Sequence, residues 1–209
     1  MSARFNVDVR PYHEAGSLDT KAKTVTVRDH KASTDYRREY DKLLRAPGAK
    51  PLVPDFVPKD DPRIFTLRNI PDTLRVHAHV NSGKAGKALV VGGGFIGVEV
   101  AENLVHKGVE VVLVQKPDQL LPPFDPEMAQ PLHAEMRRHG VTLLLGDKVD
   151  SMTATPDGIR AVAGNAEIYA DFAVIAMGVI PDSGIAKAAG LALNEKGAIK
   201  VDRQMLTSD

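Results

Sequence analysis

The chain has 209 residues, 43% of them hydrophobic and 26% charged, which is enough to bury a core in one large domain or two small ones. Lys plus Arg and Asp plus Glu both number 27, and a net charge of zero argues against nucleic acid or an anionic membrane as the main partner. With no cysteine, these residues carry no disulfide, Cys-rich metal site or cysteine catalysis; no apolar run approaches a membrane span and MSARFNVDVR has no signal core, so a cytoplasmic location is expected.

From Val7 to Ala46 short apolar bursts alternate with polar turns. FNVDV, GSL, KTVTV and YDKLLRA predict a meander of short antiparallel strands. Prolines at 47, 51, 54, 58 and 62 then mark an extended connector, because proline supplies no ladder donor. Pro71–Gly83 predicts a short helix, with Pro71 and Asp72 at its start and Gly83 beyond its end. From Lys87 the texture changes. KALVV is a buried-strand run, Phe95–Lys107 an amphipathic helix stopped by Gly108, and VEVVLV a second buried strand. Their tight linkage predicts a βαβ unit with parallel strands. Asp125–Gly140 predicts a second helix and VTLLL a third strand. A second meander follows in KVDSMTA, IRAVA, AEIYA and DFAVIAM.

One pattern occurs twice. DKLLRAPGAKP (Asp41–Pro51) and DFAVIAMGVIP (Asp171–Pro181) share Asp, an apolar run and Ala-x-Gly-x-x-Pro. Each box is expected to close a strand after a meander, with Ala and Gly leaving room for a ligand or another backbone and Pro stopping the strand. The second copy has a βαβ preface and the first has none. A duplicated architecture would start its first half with such a unit, so the chain is expected to begin after it.

The chemistry-bearing motif is Gly92-Gly93-Gly94-Phe95-Ile96-Gly97, a G-x-G-x-x-G between a buried strand and a helix. Gly92 permits the tight turn, Gly94 lets a pyrophosphate approach the backbone, and Gly97 lets the helix pack close. The helix start then offers N–H groups and a positive dipole end to the phosphates. About 20 residues on, an acidic residue usually binds the NAD ribose; here Gln115 and Lys116 stand there. Gln115 can hydrogen-bond a ribose hydroxyl and would not repel a 2′-phosphate. Lys116 could pair with that phosphate or be a solvated loop charge; a strict NAD reading is not supported, and NADP or dual use stays open. His77 and His79 are two apart and share no helix face, and no histidine pair has HExxH or similar spacing, so no metal site is predicted.

YDKLLRAPGAKP, RIFTLRNIPDT, VVGGGFIGVEVAENLVHKGVEVVLV, LLPPFDPEMAQPLHAEMRRHGV and the segment from GVIPDSG to TSD together resemble one family. It is the FAD-dependent pyridine nucleotide–disulfide oxidoreductases, in their coenzyme A-disulfide reductase, NADH oxidase and NADH peroxidase branch. The resemblance implies an α/β fold: a Rossmann-like three-layer NAD(P)-binding domain with a β-meander, plus an incomplete FAD-domain portion. It assigns residues 1–80 to the partial FAD domain, 81–179 to the NAD(P)H domain and 180–209 to a return segment. It implies that the Gly92–Gly97 loop holds NAD(P)H, that Phe95 lines the nicotinamide pocket, and that Glu99 lies near nicotinamide and flavin; Glu99 reads equally as a solvated helix glutamate. Gly178 matches a second loop on the nicotinamide side, and Ala46 and Gly48 a box on the FAD side. The relatives' first G-x-G-x-x-G, redox cysteine, Gly-Asp motif and dimerisation domain have no counterpart here. Arg45 stands where relatives carry an apolar strand residue. The implied activity is hydride transfer from nicotinamide to flavin and on to a disulfide, oxygen or peroxide, with no catalytic residue in this chain. The alternative is a stand-alone or truncated nucleotide-binding module. A nucleotide is the expected partner, and apolar surface left uncovered by half a flavin domain would favour self-association.

Overall fold

The computed structural model describes residues 2–209. Two compact units emerge, one made of the chain up to Ala49 with Ile180–Asp209, the other of Lys50–Val179. Among the described residues no helix is long and apolar enough to cross a membrane.

The first unit opens with a one-turn helix, α1 (Ser2–Phe5), then a meander of β1 (His13–Asp19), β2 (Thr24–Asp29) and β3 (Thr34–Glu39). Both pairings are antiparallel, as the alternation predicts. Asp19 and Asp29 shape the turns: Asp19 accepts from the Ala22 N–H, and Asp29 from those of Lys31 and Ala32. These N–H groups, Ala32's first, hold the Asp29 carboxyl below its ordinary value. FNVDV is not a strand. Asn6 takes a left-handed φ of 50°, and Val7 and Val9 stay about half exposed beyond it. DKLLRA is not a strand either; Leu44 is 91% exposed. The strand at the first box is only the short β4 (Ala49–Pro51) within it.

The second unit contains β5 (Ile64–Thr66), α2 (Ile70–Val80), β6 (Lys87–Val91), α3 (Phe95–His106) and β7 (Glu110–Gln115). Next come α4 (Pro126–Arg138), β8 (Thr142–Leu145), β9 (Val149–Thr155), β10 (Gly158–Ala163), β11 (Ala166–Ala170) and β12 (Phe172–Ile175). The short β13 (Val179–Pro181) leads out to α5 (Gly184–Ala188) of the first unit. A parallel sheet runs β5-β12-β6-β7-β8, and a separate antiparallel sheet runs β11-β10-β9. Residues 50–80, expected with the first domain, therefore pack with the second, because β5 pairs with β12 at the sheet edge. A three-residue strand in a proline-rich passage has no alternation to reveal it.

The parallel strands are buried on both faces, hence their unbroken apolar runs. Leu89, Val91, Val112, Val114, Ala173 and Ile175 face the meander layer. Ala88, Val90, Val111, Leu113, Phe172 and Val174 face the helix layer with Val100, Ala101 and Leu104 of α3. The alternation along β6, β7 and β12 produces the three layers. Asp171 pins the start of β6, accepting from the Gly86 and Lys87 N–H groups at 2.7 Å each.

Helix α2 starts at Asn69, before the expected Pro71. Asn69 Oδ1 accepts from the Asp72 N–H at 2.9 Å and Asp72 accepts from the Asn69 N–H at 3.3 Å, a reciprocal capping box. Asn69→Ala should lower stability by about 1 kcal/mol in urea unfolding followed by circular dichroism. An unchanged midpoint would remove the cap from the account of this helix.

Candidate functional site

The glycine turn between β6 and α3 can be built residue by residue. Gly92 has φ 108°, and a Cβ there would run into the Ala176 carbonyl. Only glycine satisfies both constraints. The Gly92 N–H donates to the Val114 carbonyl and the Ala176 N–H to the Val91 carbonyl, each at 2.8 Å, so the turn is held on two sides. Gly93 donates its N–H to Gln115 Oε1 at 2.8 Å and accepts from the Leu121 N–H at 2.8 Å. Gly94 caps α3 in extended conformation without a side-chain bond, and no atom lies within 4 Å of where its Cβ would be. A Cβ on Gly97 would collide with the Gly92 carbonyl oxygen. The three motif glycines thus have distinct causes: a tight turn, open space and close helix packing. The first turn of α3 holds no acidic residue, and its leading N–H groups have no intrahelical acceptor.

Phe95 is 59% exposed at the mouth of the turn, its ring edge-on to Phe124 with centroids 6.1 Å apart. Ile96 is also exposed. Glu99 lies further along α3, lining an apolar groove of ≈ 310 Å³ between α2 and α3 with Thr73 and His77. Gln115 is buried; its Nε2 donates to the Gln119 carbonyl at 3.3 Å. One lone pair and one N–H of that carboxamide remain for another group. Lys116 next to it is exposed. Gly178 has φ 99° and sits two residues after Ala176, whose carbonyl abuts Gly92. The structure therefore brings Gly92–Gly97, Gln115 and Ala176, the first residue of the second Ala-x-Gly-x-x-Pro box, together. Ala46 and Gly48 belong to the first unit; the Gly48 carbonyl there accepts from the Asp182 N–H at 3.1 Å.

Sequence reasoning missed the segment after β7. His133 lies inside α4 and is 2% exposed. Its Nε2 accepts from the Leu120 N–H at 2.9 Å. Burial, then the Arg137 guanidinium, hold its pKa below the ordinary histidine value. The available signal is spacing: His133 falls between Ala129 and Met136 on the buried stripe of α4.

Strand, glycine turn, helix and parallel strand, with a meander covering the sheet's other face, define a Rossmann-like α/β protein. Residues 2–209 match the pyridine nucleotide-disulphide oxidoreductase family, and the chain belongs to it. It is 29% identical over 205 residues to a coenzyme A disulfide reductase of Staphylococcus aureus (strain JH9), covering 98% of this chain and 45% of the relative. Reduced Bacillus anthracis CoADR-RHD aligns with a TM-score of 0.90 at 41% identity, across 100% of this chain and 37% of that one. The water-forming NADH oxidase from Lactobacillus brevis, solved bound to NADH, aligns with a TM-score of 0.85 at 28% identity, across 94% and 43%. The chain spans less than half the length of these relatives.

Proposed function

We propose that this chain carries the NAD(P)H-binding part of an FAD-dependent oxidoreductase. In the whole enzyme hydride would pass from nicotinamide to flavin and on to a disulfide, oxygen or peroxide. The observation that carries the reading is the triple constraint on the turn: Gly92 and Gly97 are closed in by backbone, while Gly94 between them is open. A turn that merely connected strand to helix would not need open space at the helix start, where serine, threonine or asparagine would cap as well or better. When bound, the nucleotide supplies the hydride. The residues here bind and orient it: the α3 N-terminus holds the pyrophosphate, Gln115 can reach a ribose hydroxyl, and Phe95 and Gly178 flank the nicotinamide side.

The residues fit FAD poorly. The first unit holds a meander and α5 but no parallel βαβ unit among its described residues, leaving Ala46 and Gly48 as the residues offered to it. That observation favours a second reading, in which the chain alone binds nucleotide without turnover.

Cofactor choice follows from Gln115 and Lys116. A neutral carboxamide does not repel a 2′-phosphate, and an exposed Lys116 beside it attracts one. Side-by-side titrations should show that NADPH binds as well as NADH or better. Lys116→Ala should weaken NADPH roughly three- to tenfold, with NADH unaffected. Equal weakening of both, or no binding of either by the parent chain, would defeat this reading. Flavin absorbance in the purified chain would defeat the second reading instead.

A further inference from the structure

The segment after β7 forms a floor beneath the glycine turn. Leu120 is fully buried, and its side chain occupies the space where a Cβ on Gly93 would go. The Leu121 N–H donates to the Gly93 carbonyl, and Gln115 ties the Gly93 N–H to the Gln119 carbonyl. Gln119 Nε2 in turn donates to the Phe124 carbonyl at 2.8 Å, closing the segment on itself. Leu121 has φ 49°, a left-handed conformation that a leucine keeps only when its surroundings hold it. One side chain of α4 reaches this segment with a hydrogen bond, and that is His133, at the Leu120 N–H.

We propose that His133 is a positioning residue for the nucleotide turn: by accepting from Leu120 it holds the floor that fixes both hydrogen-bonding groups of the Gly93 peptide. This rests on the nucleotide-binding reading above and adds a residue the glycine motif does not contain. Imidazole accepts at Nε2 only when that nitrogen is unprotonated, so the proton of the neutral ring sits on Nδ1. Burial favours that neutral ring. Without the acceptor, a buried N–H is orphaned and Leu120 must move to find water. Leu121 moves with it, and the Gly93 peptide, directly before the open Gly94, loses its anchor. The amides aimed at the pyrophosphate are then no longer preorganised.

The test uses the full chain and two substitutions. His133→Leu removes the acceptor and keeps an apolar side chain of comparable size; His133→Gln restores an acceptor near the position of Nε2. NADH and NADPH affinities are read by fluorescence titration, and amide exchange is read at Leu120, Leu121 and Gly93. We expect His133→Leu to bind about tenfold more weakly, as loss of one buried hydrogen bond implies. Exchange should rise at those three amides while Val90 and Val112 in the sheet stay protected. His133→Gln should recover most of both. Should the leucine variant lose protection in the sheet as well, His133→Phe takes its place. Binding within twofold of wild type in the apolar variant, or unchanged exchange at Leu121 and Gly93, would overturn the proposal. So would a glutamine variant as weak as the apolar one, since the acceptor would then not be what matters. A wild-type chain that binds neither nucleotide would remove the functional reading, and exchange at Leu121 and Gly93 would still decide whether His133 holds the turn.

Discussion

Gly94→Val should abolish nucleotide binding and leave the fold nearly untouched. The backbone at Gly94 has φ −78° and ψ −172°, which valine adopts without strain. The new Cβ would meet no atom within 4 Å. The remaining cost is replacement of glycine by a poorer N-cap, about 1 kcal/mol or less. The branched side chain would occupy the space that a pyrophosphate needs in order to reach the α3 amides. Losing those charge-assisted hydrogen bonds together should weaken binding at least about a hundredfold. The measurement pairs a urea unfolding curve with an NADH and NADPH titration. A well-folded variant that binds like wild type would show that the turn is not the phosphate site.

The opposite pattern is expected three residues on. Gly97→Val should destabilise the second unit by about 3 kcal/mol or more, because the added Cβ falls on the Gly92 carbonyl oxygen. A side chain could swing away from such a collision, but a peptide group cannot. That peptide region is fixed by the Gly92 and Ala176 N–H bonds to Val114 and Val91. Gly97→Ala should show a reduced version of the same loss. Chemical denaturation reads the effect directly, and a wild-type midpoint for Gly97→Val would mean that α3 sits further from the turn than described. The two glycines separate binding from folding within one hexapeptide.

The turn was legible from the sequence because its causes are local. A strand run, a glycine-rich turn and an apolar helix stripe occupy one continuous stretch from Lys87 to Val114, and each announces itself by composition. The same holds for β9, β10 and β11, where turn residues punctuate the strands; DFAVIAM, expected as the fourth strand of that meander, instead enters the parallel sheet as β12 between β5 and β6, because it is buried on both faces. Legibility fails where structure depends on partners distant in sequence. Asp41–Ala46 has the apolar content of a strand, yet no strand among the described residues pairs with it and Leu44 faces solvent. Ile64–Thr66 has the opposite history: three residues between prolines and a helix become a strand because β12 lies beside them. The floor under Gly93 is hidden for a related reason. Its hydrogen bonds run between a loop, a strand end and the middle of α4; Gln119 belongs to no pattern that periodicity detects, and the helical spacing that buries His133 does not say what its ring accepts from.

The boxes that repeat along the chain mark where the Lys50–Val179 unit begins and ends. Inside that unit the Leu52 N–H donates to the Gly178 carbonyl at 2.9 Å, so its entry and exit lie side by side. An uninterrupted stretch of chain can therefore fold first, without waiting for either flank. Until it does, the halves of the discontinuous unit are separated by a long coil, and joining them costs about 4 kcal/mol of loop-closure entropy. Once Leu52 and Gly178 meet, most of that cost has been met by the inserted unit, and Gly48 and Asp182 find each other across a short link. The connectivity thus lowers the entropy cost of assembling the divided unit once the contiguous one has folded.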